Sequence, residues 1–226
     1  MNAFRQLALH LPLKPSYAES DFIESPCNKE ALQWIRHWPD WPVKMIAIYG
    51  MPGCGKTHLG HIWQEKSTAR FLTPQDITQI TPLEATQNTT SFVLDDADTL
   101  EDENWLFHFY NLIKEKDGYC LLCCHQAPTQ WKVTLPDLKS RLATILSIPV
   151  TLPDEEALRA VLFKLFTEKG MALSQEIADY ILRRIDRSFD AACTLVDAID
   201  RYTLSTRRSL TLAVVREVLN EQSFSL

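Results

Sequence analysis

The stretch Gly50-Met51-Pro52-Gly53-Cys54-Gly55-Lys56-Thr57 constrains this chain more than any other, because it matches the pattern G-x-x-x-x-G-K-[ST] in full. Its flanks match as well. The apolar run Met45 to Tyr49 precedes it and reads as a buried strand, and Leu59, Ile62 and Trp63 follow it at helical spacing with no proline between. Strand, glycine loop and helix is the geometry that phosphate binding needs. Glycines let several N–H groups turn toward one anion, and the helix N-terminus adds partial positive charge. In such a loop Lys56 reaches the terminal phosphates and the Thr57 hydroxyl meets Mg²⁺. The candidate binding set is therefore Gly50, Pro52, Gly53, Cys54, Gly55, Lys56 and Thr57, with ATP or ADP and Mg²⁺ as the expected ligands.

A second feature strengthens the first. Ser91-Phe92-Val93-Leu94-Asp95-Asp96-Ala97-Asp98 is an apolar strand running into carboxylates. Asp95 is placed to hold Mg²⁺ through its water shell, and Asp96 to orient or deprotonate an attacking water. Two arginines stand where positive charge could oppose a developing phosphate charge: Arg141 in Leu135 to Leu142, and Arg187 beside Ser188. From spacing alone either one reads equally well as a surface arginine.

Strand-like runs at Met45 to Tyr49, Arg70 to Leu72, Ser91 to Leu94, Tyr119 to Cys124 and Ser147 to Val150 alternate with helical segments. That alternation predicts an α/β fold with a five-stranded parallel sheet and helices on both faces. Beyond Pro153 the pattern is helical only, with Asp154, Ser174 and Ser188 as expected N-caps, and predicts a small lid. The expected organisation is a tail over 1–16, a nucleotide-binding domain over 17–152 and a lid over 153–226.

The 226 residues carry a formal net charge of -6 and no dense basic run, so the counterion-release drive for DNA binding is missing and sequence-specific DNA contact is not expected. No apolar run approaches the roughly 18 residues of a membrane span, and Met1 to Leu9 lacks a signal-peptide pattern. The six cysteines are accordingly expected to be reduced thiols in a cytoplasm. Cys120-Leu121-Leu122-Cys123-Cys124 contains a C-x-x-C but no second pair at zinc spacing, and its apolar neighbours predict buried strand.

With these residues placed, the chain resembles the AAA+ ATPases, and within them the clade of the bacterial initiator DnaA. Asp21-Phe22-Ile23 followed by Asn28 resembles the segment leading into that clade's nucleotide domain, and Gly50 to Leu59, His58 included, resembles its form of the phosphate loop. Leu94 to Asp96 resembles the Mg²⁺ motif. Leu135 to Leu142 resembles the arginine-finger box, which implies that Arg141 acts in trans, and Arg187-Ser188 resembles the lid arginine called sensor 2. Within these 226 residues an initiator's DNA-binding domain, typically about a hundred residues, is not expected. The chain is thus most similar to the short DnaA-related regulators of the Hda type, and Trp38 to Pro42 is similar to their alphaproteobacterial members.

That resemblance implies a nucleotide-bound module that binds the DNA polymerase III sliding clamp (beta) and DnaA, and promotes hydrolysis of DnaA-bound ATP to prevent re-initiation. Self-association stays open. Gln6, Leu7, Leu9 and Leu11 resemble a clamp-binding peptide, a short extended apolar motif suited to a groove. One departure is expected to matter. The sensor 1 stretch, which usually offers a hydroxyl or amide, here reads Cys123-Cys124-His125, and thiols are poor donors, which sets intrinsic hydrolysis in question. A helicase-loader-type ATPase and a non-catalytic clamp or initiator adaptor are the alternatives.

Overall fold

The computed structural model describes residues 17–221, which fall into two compact units, 17–152 and 153–221. The clamp-peptide residues Gln6, Leu7, Leu9 and Leu11 lie outside the described residues.

In the first unit, helix α1 (Lys29–His37) leads into β1 (Met45–Tyr49), and the glycine loop then opens α2 (Lys56–Ser67). Strand β2 (Arg70–Leu72) is followed by two short helices, α3 (Pro74–Ile77) and α4 (Pro82–Ala85). Each has a Thr at the N-cap, Pro behind it and an acid reaching back to the cap, so both starts are written locally. The remaining elements are β3 (Ser91–Leu94), α5 (Glu103–Glu115), β4 (Tyr119–Cys124), α6 (Pro136–Leu142) and β5 (Leu146–Pro149).

The strands form one parallel sheet in the order β2-β3-β4-β1-β5. Side chains alternate across a strand, and here both faces are covered. Met45, Ala47, Phe92, Leu94, Leu122 and Cys124 pack with α5 and α6, whereas Ile46, Ile48, Val93, Leu121 and Cys123 pack with α1 and α2. A run such as Tyr-Cys-Leu-Leu-Cys-Cys is apolar throughout because neither face meets water. Trp41 stacks on fully buried Trp63 at 5.1 Å and donates its Nε1 hydrogen to the Trp34 carbonyl, so these tryptophans belong to the packing under α1 and α2.

The second unit is helical: α7 (Glu155–Glu168), α8 (Gln175–Leu182), α9 (Phe189–Thr206) and α10 (Leu212–Glu221). Asp154, Ser174 and Ser188 each accept from the backbone N–H three residues on, closing one orphan donor at each start. Leu158, Leu162, Phe166, Ile181, Leu195 and Val215 form its core. Helix α8 ends at Leu182, and Ile185 remains buried just beyond it. Among the described residues, no helix is long and apolar enough to cross a membrane.

Fully buried Phe109 packs edge-on to Phe92 and face-on to Trp105. Phe109→Ala should cost about 3–5 kcal/mol in transfer and cavity terms, which lowers the melting temperature of this unit by on the order of 10 °C. Thermal unfolding followed by near-ultraviolet circular dichroism checks this.

Candidate functional site

The parallel register sets the ends of three strands side by side. Tyr49 pairs with Cys124, Leu94 pairs with Leu122, and the Gly50 N–H continues the ladder by donating to the Cys124 carbonyl at 3.1 Å. The glycine loop, the Asp95-Asp96 turn and the segment after Cys124 therefore emerge along one carboxyl edge, where ligands of such sheets sit.

In the loop, a Cβ at Gly50 would lie 2.0 Å from the Val150 carbonyl oxygen, so only glycine fits between the loop and the chain beyond β5. Gly53 and Gly55 take φ of 75° and 98°, which is what turns the loop into α2. The N–H groups of Lys56, Thr57 and His58 then form the first turn of that helix and have no partner within it. Lys56 is buried, and its Nζ donates to the carbonyls of Gly50 and Met51 at 2.8 and 3.0 Å, which places the ammonium within the curl of the loop. Pro52 is exposed in the loop. Cys54 is fully buried, and that burial raises its thiol pKa. The His58 ring turns away toward the lead-in segment, where Nε2 meets the Ala18 carbonyl at 3.1 Å and Phe22 packs against the ring edge.

Asp95 faces the loop from β3. Its Oδ2 accepts from the Thr57 hydroxyl at 3.0 Å, while Oδ1 is buried with no hydrogen-bond partner among the described residues. Burial pushes the Asp95 carboxyl above its ordinary value, with the Thr57 hydrogen bond opposing that shift. A buried, half-satisfied carboxylate beside a threonine hydroxyl fits a hydrated divalent cation, since its Oδ1 is a hard oxygen donor that no described residue uses. The glycine cradle fits a phosphate chain. These residues are thus able to hold a magnesium–nucleotide complex.

Asp96 follows in the left-handed region, at φ 48°, and its carboxylate is about half exposed (52%). Two residues that motif reading did not single out complete this edge. Asp98 accepts the backbone N–H of His125 with both oxygens at 3.0 Å and its ring Nδ1 at 3.2 Å, and His125 Nε2 lies 3.8 Å from Asp96 Oδ1. The acidic run Asp95-Asp96-Ala97-Asp98 contained the only signal for Asp98, and nothing local linked it to a histidine 27 residues later.

The structure also changes the reading of the sensor 1 stretch. Cys123 and Cys124 are fully buried and their thiols point to opposite faces of the sheet, toward the Lys56 and Ile48 carbonyls. Burial pushes both thiols far above their ordinary pKa. The side chain that reaches the edge is His125.

Arg141 stands on α6 with its guanidinium over the rings of Phe107 and Tyr110, at 5.1 and 5.2 Å. Its Nε is buried without a hydrogen-bond partner, and it makes no ion pair among the described residues. Arg187 is exposed in the helical unit, immediately before the Ser188 cap of α9.

Comparison with known proteins places this architecture. The model of the family described as "Hda, lid domain" matches residues 154–219. An uncharacterized protein of Haemophilus influenzae is 27% identical over 191 residues, covering 76% of this chain and 80% of that protein. Domain III of the Thermotoga maritima replication initiation protein DnaA superposes with a TM-score of 0.78 at 20% identity, covering 93% of this chain and 98% of that structure. AMPPCP-bound DnaA from Aquifex aeolicus gives a TM-score of 0.74 at 17% identity, covering 93% of this chain and 71% of that one.

Because the folded-state pKa of Asp95 is raised, protonation of this group favours the folded chain. Its contribution is complete below the unfolded-state value and disappears as pH rises through the raised one. In magnesium-free buffer, Asp95→Asn should therefore match the parent near pH 4 and become the more stable of the two toward neutrality. Melting curves of both proteins from pH 4 to 8 check the sign.

Proposed function

We propose that this chain, whose lid matches the Hda lid family and whose fold is that of DnaA domain III, is a nucleotide-binding regulator of replication initiation that acts on DnaA. In this reading Gly50, Pro52, Gly53, Cys54, Gly55 and His58 supply the loop and its helix start. Lys56 neutralises the phosphates, Thr57 and Asp95 hold the cation, and Arg187 keeps the nucleotide-binding role that its sensor 2 motif implies. The AMPPCP in the Aquifex aeolicus DnaA structure supports a nucleoside triphosphate, or the diphosphate left by its hydrolysis, as the ligand. Binding of the sliding clamp through Gln6, Leu7, Leu9 and Leu11 completes the proposal and confines the activity to clamp loaded on DNA in the cytoplasm.

The observation that carries this reading is the conjunction, in one chain, of a lid matched by the Hda family and a glycine-loop edge with an unsatisfied Asp95 oxygen. Arg141 supports the trans role as well. It is a guanidinium laid on two aromatic faces with no carboxylate to break away from, so it can be offered to another molecule's phosphate at little electrostatic cost.

The test is phosphate release from ATP-loaded DnaA in the presence of DNA-loaded clamp. This protein should accelerate it, and Arg141→Ala should abolish the acceleration while nucleotide and clamp binding persist. Arginine fingers in well-studied nucleotide hydrolases contribute on the order of 10³ to 10⁵ in rate. Normal stimulation by the variant would rule out the trans-finger role. No stimulation by the parent protein would turn the assignment toward an adaptor or a helicase loader.

A further inference from the structure

The stretch joining β4 to α6 is braced at both ends by carboxylates. Asp98 accepts the backbone N–H groups of His125 and Gln126 at its start. Glu103, in the first turn of α5, does the same at its end. Its Oε1 accepts the Thr134 N–H at 2.8 Å, while Oε2 accepts the Leu135 N–H at 2.8 Å and the Thr134 hydroxyl at 2.9 Å. The backbone donors of Thr134 and Leu135 hold the Glu103 carboxyl below its ordinary value, which keeps it in the ionised, accepting form.

Helix α6 depends on such a brace. Its seven residues are too few to hold a helix alone, and its N-cap, Leu135, makes no side-chain capping bond. Leu138 and Leu142 are buried in the same core as Phe109 and Ile113, yet apolar burial is non-directional and does not fix where along α5 the helix lies. Directional bonds do. Glu103, Phe107 and Tyr110 stand at i, i+4 and i+7, one stripe of α5. Glu103 holds the lead-in to α6, and the Phe107 and Tyr110 rings lie against the Arg141 guanidinium at its other end. At roughly 1.5 Å per residue, Leu135 to Arg141 spans about 9 Å of α6 and Glu103 to Tyr110 about 10 Å of α5. The two spans match, so the bonds at one end set the contact at the other.

We infer that Glu103 is the positioning residue for Arg141. Its hydrogen bonds at Thr134 and Leu135 fix the register of α6 on α5, and that register sets the guanidinium in the place from which it meets another molecule's phosphate. The inference rests on the trans role of Arg141 proposed above and adds the residue that aims it. Glu103 itself touches no substrate and acts only through α6.

Two measurements test this. In nuclear magnetic resonance spectra of this protein alone, the Phe107 and Tyr110 rings shift the Arg141 side-chain protons, and Glu103→Ala should move those signals toward the positions of an exposed arginine. In clamp-dependent phosphate release from ATP-loaded DnaA, Glu103→Ala should lower the maximal stimulated rate by on the order of 10², the effect of a misplacement of roughly 1 Å, with the half-saturating concentration unchanged. Glu103→Gln keeps one carbonyl acceptor and should recover part of both readouts. Added to Arg141→Ala, Glu103→Ala should cost nothing further, since the two act as one unit. A Glu103 that only stabilised the fold would, on removal, lower the melting temperature and leave the Arg141 signals and the saturated rate unchanged; that result overturns the inference. Absence of stimulation by the parent protein would instead overturn the regulator reading, and the Arg141 signals would still decide whether Glu103 positions that side chain.

Discussion

The candidate site depends on one backbone contact: the Gly50 N–H donated to the Cys124 carbonyl, which extends the parallel ladder one residue past β1. It fixes where the phosphate loop begins relative to β4, and the β3–β4 register carries the same alignment across to Asp95. Parallel strands deliver all their carboxyl ends to one edge, so the loop, the magnesium-type carboxylate and the His125 turn meet without any long-range search by side chains. The tight space at Gly50, where a single added carbon would strike the Val150 carbonyl, holds the loop against the sheet from the other side. Placement is thus a property of the backbone, and the side chains only have to be of the right kind.

Much of this was legible in the residues before any coordinates. The first four strands fall where their apolar runs do, because a sheet buried on both faces writes itself as unbroken hydrophobic sequence. Strand β5 lies one residue earlier than its pattern suggests, at Leu146–Pro149 rather than 147–150, since pairing with β1 rather than local composition sets its limits. The starts of α7, α8 and α9 could be read because the capping residues act within three positions of themselves. The glycine loop was readable for the same reason: its chemistry is contiguous.

What could not be read was contact across distance. Nothing near Asp98 announces His125, and nothing near Phe107 or Tyr110 announces Arg141, because each pairing is made by the packing of separate elements. The thiols show the opposite error. Read in order, Cys123 and Cys124 occupy the stretch where a polar group is expected, yet the two-residue period of a strand sends one sulfur to each covered face. The polar group is the next residue along, the first one free of the sheet.

The storage of Arg141 has a consequence for how strongly salt should affect its use. A guanidinium that leaves an ion pair must exchange one counter-charge for another, and the net change is small and easily screened. Here the ring faces of Phe107 and Tyr110 hold the cation through polarisable contact, and the buried Nε hydrogen has no acceptor among the described residues. An acceptor that reaches this Nε adds a hydrogen bond that no described residue supplies. The resting arrangement is therefore incomplete by one bond, and an incoming oxygen that finishes it gains from a deficit the fold has already left open.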